Sequence, residues 1–330
     1  MKERNLSPKF SADFIENETV TDEWGVTYTD NGRILKDISL QLFTCEEYII
    51  PEGVEIIERD FVEAGRKLHK VHLPSTLREM ECNTFIGCPI EELELPEGMQ
   101  EVPDCMCESC PELKRVILPS TLSCIGIAAF NGCSSLQEIK LPGNIEHIGD
   151  NVFSNCVSLK HVQLPPKLAY LAPELFAGSG IESIEIHSNI EKIGYEAFWG
   201  CKHLKHLVIP KTVTQIEYGI VTACEGFNGI ECHAKGYHVE NEALIDDKNH
   251  ELLCCWSQQK HYVVPECVKR IACMNGNDFV ETITVNQPVE LTTYNVFAAC
   301  KNLCKVDFKG GVTGMDKYTF YNCPKIETCS

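Results

Sequence analysis

The chain has 330 residues, 44% of them hydrophobic, and a formal net charge of -19. That apolar content builds a folded core and excludes a disordered acidic tail. The acidic balance argues against nucleic acid or an anionic membrane as partner, since both reward a basic surface, and the lysines and arginines lie scattered among acids.

The opening stretch, MKERNLSPKFSADFIENETV, holds no apolar run of signal-peptide length, and no later segment reaches the length of a membrane span. The expectation is therefore no membrane insertion and a cytoplasmic location, with a secreted or cell-surface location as the alternative if a signal peptide has been removed. Glu23 to Ile57 follows, an alternating apolar stretch, then Asp30-Asn31-Gly32, then a second apolar stretch. That pattern predicts a β-hairpin. Residues 1–50 are expected to form an N-terminal capping region around it, covering an otherwise bare core edge.

From Pro51 the chain repeats itself. CIGIAAFNGCSSLQEIKLP, Cys124 to Pro142, is followed 23 residues on by HIGDNVFSNCVSLKHVQLP. The proline that closes each unit recurs at Pro51, Pro74, Pro96, Pro119, Pro142, Pro165 and Pro210, with His187 in the remaining slot. After an interruption the marker returns at Pro265 and then as Asn286 and Lys309, making eleven units. This predicts an N-terminal array over 51–231, an insertion over 232–264 and a C-terminal array over 265–330. The insertion, with Asp246 to Asn249 as its turn, has the hairpin pattern of the N-terminal region.

Within each unit the columns are regular. Apolar residues stand three and six places after the marker, as Ile145 and Ile148. Eleven places on comes an aromatic: Phe85, Phe130, Phe153, Phe176, Phe198, Phe297 or Phe320. Then comes cysteine, at Cys88, Cys110, Cys133, Cys156, Cys201, Cys224, Cys300 and Cys323. A strand of the form L-x-x-I/V-x-L precedes the next marker, as Leu136, Ile139 and Leu141. Alternation marks a strand buried on one face, and proline stops it because it lacks the N–H that a ladder needs. One unit cannot bury its own apolar side. Stacked units can, in a parallel ladder with strands about 4.8 Å apart. Cysteine at one buried column reads as a small hydrophobe, so free thiols and a reducing compartment are expected rather than a disulfide framework.

These columns, I/L-G-x-x-A-F-x-x-C-x-x-L-x-x-I-x-L-P, resemble the BspA-like leucine-rich repeats, also called the Treponema pallidum type. Ile148-Gly149, Phe153, Cys156, Leu159, Val162, Leu164 and Pro165 carry the match, which extends from about Thr44 to Cys329. The hairpin ending in Tyr262, Pro265, Val268 and Ile271 is similar to an insert common in that family. The resemblance implies an α/β leucine-rich repeat solenoid, mostly β, with a parallel strand ladder, short outer turns or strands, and β-hairpin insertions. It also implies adhesion to host proteins or other cells for many members, and no catalytic residue to carry over.

A ligand surface on such a fold would be the exposed side of the strands. One column reads Lys70, Glu92, Arg115, Glu138, His161, Ser183 and His206; the other reads His72, Glu94, Ile117, Lys140, Gln163, Glu185 and Val208. Lys70, His72, Glu92, Glu94, Arg115, Ile117, Glu138, Lys140, His161, Gln163, Glu185 and His206 are the candidate binding residues. Neither column has an aromatic anchor, and mixed charge is also what a solvated face carries.

No metal site or cofactor is expected. His69 and His72, like His203 and His206, are three apart, which on a strand puts the rings on opposite faces. Cys232, His233 and His238, with Cys254 and Cys255 farther on, lack a zinc-ligand spacing. Cys105, Cys107 and Cys110 lack the α/β context of a redox dithiol. With neither G-x-S-x-G nor H-E-x-x-H present, the expectation is not an enzyme. The function expected is a noncatalytic interaction scaffold for an unknown protein partner. The alternatives are an adhesin-like surface or secreted protein, and a carbohydrate-binding surface built on exposed aromatics such as Tyr294, Tyr318 and Tyr321.

Overall fold

The computed structural model describes residues 19–61 and 64–329. Residues 1–18, most of the opening stretch and the start of the expected N-terminal cap, lie outside that range. The chain divides into two compact units, Met1–Leu168 and Ala169–Ser330.

In the first unit each coil supplies two short strands. The strands Glu47–Ile49, Lys70–His72, Glu92–Glu94, Arg115–Ile117 and Glu138–Ile139 form one parallel sheet. The register aligns equivalent residues: Lys70 faces Glu92, and Arg115 faces both Glu92 and Glu138. A second parallel ladder runs through Glu101–Val102, Cys124–Ile125 and His147–Ile148. Among the described residues the unit opens with the antiparallel strands Val20–Thr21, Val26–Thr29 and Ile34–Ile38, and Ile34–Ile38 then pairs in parallel with Ile56–Ile57.

The second unit repeats this grammar. Tyr170–Leu171, Lys192–Ile193 and Gln215–Ile216 form a parallel ladder. A six-stranded sheet opens with the antiparallel strands Tyr237–Glu240, Ala243–Asp246 and Glu251–Cys255. Its third strand pairs in parallel with Arg270–Ile271, as Ile34–Ile38 does with Ile56–Ile57. Both antiparallel pairs carry a register shift, at Thr27/Tyr28 and at Leu244/Ile245.

The α/β class expected from the sequence does not hold. Each unit is an all-β solenoid, and among the described residues the only helix is a single 3-10 turn, Ala64–Lys67. The reason lies in the outer arc of each coil, where the N–H groups find partners in the next coil instead of four residues back. Ala128 donates to the Asp150 carbonyl at 2.8 Å, Phe130 to Val152 at 3.2 Å and Gly132 to Ser154 at 2.8 Å. Glu174, Phe176 and Gly178 do the same toward Tyr195, Ala197 and Trp199 in the second unit. In each arc from Asn83 to Ala223 two positions adopt left-handed backbone, such as Ala128 at φ 53° and Gly132 at φ 74°, which a helix does not tolerate.

The core is built from the predicted columns. Phe85, Phe130, Phe153, Phe176, Phe198 and Phe297 are fully buried. Ring centroids of Phe130 and Phe153 are 6.1 Å apart with planes 6° from parallel, and Phe176 and Phe198 stack at 5.7 Å. All eight column cysteines are buried and free. Their thiols donate backward to main-chain carbonyls of the preceding coil. Cys110 reaches Phe85 at 3.0 Å, Cys133 reaches Cys107 at 3.1 Å and Cys156 reaches Phe130 at 3.2 Å. Cys201 and Cys224 reach Phe176 and Phe198 in the second unit. Cysteine suits this place because it is apolar enough for the core and still carries one weak donor. Glycine seven places after the marker has a separate cause. A Cβ on Gly149 would stand 2.7 Å from the Ile127 nitrogen, so the coils could not approach as they do.

Candidate functional site

The strand face of the first unit positions the candidate residues by simple alternation. Val71, Leu93, Val116 and Ile139 point into the core, so their neighbours point out. Lys70, His72, Glu92, Glu94, Arg115, Ile117 and Glu138 lie exposed on the ladder, and Lys140 follows its last strand. His161 and Gln163 are exposed too, but on a segment without regular strand pairing. In the second unit Glu185 sits on a comparable irregular segment, while His206 begins the strand His206–Ile209 and pairs with Gly229. The structure thus gathers Lys70, His72, Glu92, Glu94, Arg115, Ile117 and Glu138 on one sheet, leaves His161 and Gln163 beyond it, and leaves Glu185 and His206 in the other unit.

Along this face the charges sort into two zones. Glu47 accepts from Lys70 at 3.1 Å and from His72 at 2.8 Å, and those bonds, His72 foremost, hold its carboxyl below the usual range. The far end is different. Arg115, Ile117, Glu138 and Lys140, with Pro142 and Asn144, line a shallow depression of about 640 Å³. Glu97 closes one side, its carboxyl held down by the Ser120 backbone N–H and hydroxyl. Ile117 is 40% exposed, an apolar side chain framed by charges of both signs. An apolar centre with a polar rim is the arrangement that a protein partner uses, because desolvation is concentrated at the anchor and charge sets orientation.

A second depression, of about 580 Å³, lies within the second unit and is lined by Tyr218, Tyr237, Lys248, Glu251, Arg270 and Thr292 among others. Sequence reasoning missed it. Its residues come from second-ladder strands, the insertion hairpin and the coil after it, so no single column of the repeat displays them. Of the exposed aromatics, Tyr318 and Tyr321 do not lie flat beside each other. They meet edge to face, with planes 75° apart, and the Lys317 ammonium lies over the Tyr318 ring.

A sequence profile of the BspA type leucine rich repeat region matches residues 36–156, 124–250 and 265–330. The chain belongs to the BspA type leucine-rich repeat family. This membership carries a noncatalytic, protein-binding scaffold; the chain is not an enzyme. Among solved structures it is similar to a leucine rich cell surface protein from Faecalibacterium prausnitzii, with a TM-score of 0.65 and 17% identity over 95% of this chain and 82% of that one. A leucine-rich repeat protein from Bacteroides ovatus superposes with a TM-score of 0.56 and 19% identity, covering 96% and 99%. The pneumococcal vaccine antigen PcpA gives 0.50 and 16%, covering 95% and 81%. A search of curated proteins finds no significant match.

These relatives overturn the cytoplasmic location expected from the sequence, since a cell surface protein stands among the chains sharing this fold. The free thiols that suggested a reducing compartment have a local explanation. Burial pushes the Cys156 thiol up to about 12 and Cys201 up to about 11, so these two column cysteines hold little reactive thiolate in any compartment. Among the described residues no helix is long and apolar enough to cross a membrane.

Proposed function

We propose that this protein is a surface-displayed or secreted adhesin-like scaffold that binds a host or neighbouring-cell protein through the exposed strand face of its first unit. The observation that carries this reading is the convergence of Arg115, Ile117, Glu138 and Lys140 on one depression. The apolar Ile117 side chain supplies the anchor, and the flanking charges choose the partner's orientation. The rigid parallel ladder keeps these groups in place before the partner arrives, which lowers the ordering cost of association. A partner with a protruding apolar residue flanked by both an acid and a base fits this face.

The test is binding of the full chain to immobilised host extracellular proteins and to whole neighbouring cells, followed by the double variant Arg115→Glu/Lys140→Glu and by Ile117→Asp. Saturable binding that falls at least about tenfold in both variants supports the reading, since losing a central anchor costs about 2 kcal/mol or more. Binding that neither variant alters overturns it, as does no saturable binding at all.

A further inference from the structure

The insertion hairpin brings together a set of groups outside the strand face. His238 and Glu240 are two apart on the strand Tyr237–Glu240, so their side chains share a face. Cys267 comes from the next coil, two places after the marker Pro265. Most other coils put glycine, threonine or asparagine there, as Gly53, Thr76, Gly98, Thr121 and Asn144, and two put Lys167 and Pro288. Thr76 and Thr121 use the place to accept from the preceding coil's backbone at Gly53 and Gly98. Cys267 instead turns its sulfur to Glu240 Oε2, 3.4 Å away. His238 Nε2 approaches the same oxygen at 3.5 Å. The three ligand atoms all lie within 4.8 Å of one another.

We propose that His238 Nε2, Glu240 Oε2 and Cys267 Sγ form a zinc(II) site that ties the edge strand of the insertion hairpin to the following coil. Zinc bonds of about 2.0–2.3 Å to nitrogen, oxygen and sulfur set tetrahedral ligand atoms about 3.3–3.8 Å apart, and both short separations here fall inside that span. The imidazole is already oriented for the metal. Its Nδ1 lies 2.5 Å from Asp247 Oδ1, an acceptor that holds the proton on Nδ1 and leaves the Nε2 lone pair toward Glu240 and Cys267. A carboxylate behind a ligating histidine is the usual outer support of a zinc site. The donor set of one nitrogen, one sulfur and one carboxylate selects zinc over magnesium or calcium, which take oxygen donors. Three protein ligands leave the fourth position to water or to a partner's side chain.

The site also has a structural purpose. Tyr237–Glu240 is the outermost strand of its six-stranded sheet and pairs on one side only. A metal bridge to Cys267 fastens that edge. A contrasting cluster in the first unit, His69, Glu91 and Glu112, lacks a thiol, and Lys114 Nζ already occupies Glu91 Oε2 at 2.7 Å. That cluster serves as the internal control.

The experiment uses the full chain, stripped with chelator and kept reduced, titrated with zinc(II) by calorimetry and with cobalt(II) by absorbance. One equivalent of zinc and a thiolate-to-cobalt charge-transfer band are expected. Cys267→Ser abolishes the band, and His238→Ala lowers zinc affinity at least tenfold. Asp247→Asn lowers it by about ten- to a hundredfold, while His69→Ala leaves it unchanged. An independent reading needs no variant: zinc protects Cys267 from alkylation in the wild-type chain, mapped by mass spectrometry, while exposed Cys82 stays reactive. A wild-type chain with no saturable equivalent, or alkylation of Cys267 unaffected by zinc, overturns the proposal. Cys267→Ser and His238→Ala variants that bind zinc like wild type also overturn it.

Discussion

The regular coils of the first unit and the insertion hairpin of the second solve the same packing problem with different neighbours. In the coils a side chain mostly meets the residue one period away. Ser120 donates to Glu97 and Ser75 donates to Glu52, each 23 residues apart. Thr121 donates to the Met99 carbonyl as Thr76 does to Val54, each 22 residues apart. In the hairpin the neighbours are singular: His238 meets Asp247 nine residues on, and Cys267 meets Glu240. Repetition builds a uniform surface on which function is spread along a column. A break in repetition brings unlike groups together and makes a point site.

That contrast can be broken most severely in the coil core. Phe130→Ala removes a fully buried ring stacked on Phe153 and is expected to cost about 3–5 kcal/mol, read from urea unfolding. Gly149→Ala forces a Cβ against the Ile127 backbone and is expected to cost about 1–3 kcal/mol by the same measurement. Cys156→Ala removes a fully buried thiol and one of the two donors to the Phe130 carbonyl, which keeps the Cys133 N–H, and is expected to cost about 1 kcal/mol. Cys267→Ala, in metal-free protein, is expected to stay within about 0.5 kcal/mol, because this half-exposed thiol sits at the margin of the core and gives a single hydrogen bond to the exposed Glu240 carboxylate. If Cys156→Ala and Cys267→Ala cost the same, the distinction between a column cysteine and the cysteine that faces the hairpin fails.

The thiols also sharpen the contrast through pH. A buried thiol raised to about 12 stays protonated in the fold while the unfolded chain ionises near its usual 9.0. The folded state therefore holds more protons, so stability is full below about pH 9 and declines as pH rises toward 12. Unfolding midpoints measured under reducing conditions at neutral pH and above pH 9 are expected to show this fall. In Cys156→Ala the fall is expected to be smaller.

Periodicity made the strands, the buried phenylalanines, the buried cysteines and the outward residues legible, because each follows from which side of a coil must be apolar. It did not reveal how the outer arc is hydrogen bonded. Phe130 falls in the same column whether its N–H bonds within a helix or to Val152 in the next coil, which is why the α/β expectation failed. Nor did it show that His161, Gln163 and Glu185 leave the regular ladder while keeping their exposed place. For the hairpin cluster, His238 stood out in the sequence beside Cys232 and His233, but its sulfur neighbour is Cys267, and nothing in their spacing joins them. The signal available was the substitution of cysteine at a position that other coils give to Gly53, Thr76 or Asn144.

The in-register pairing of Arg115 with both Glu92 and Glu138 makes chain length modular. Excising Ser120 through Pro142, one 23-residue period, joins Pro119 to Gly143 and hands every ladder bond to a counterpart of the same kind. Such a deletion shortens the stack by a single step of about 4.8 Å without unmaking its interior. Duplication and loss of whole periods can thus tune how far the protein reaches, one rung at a time.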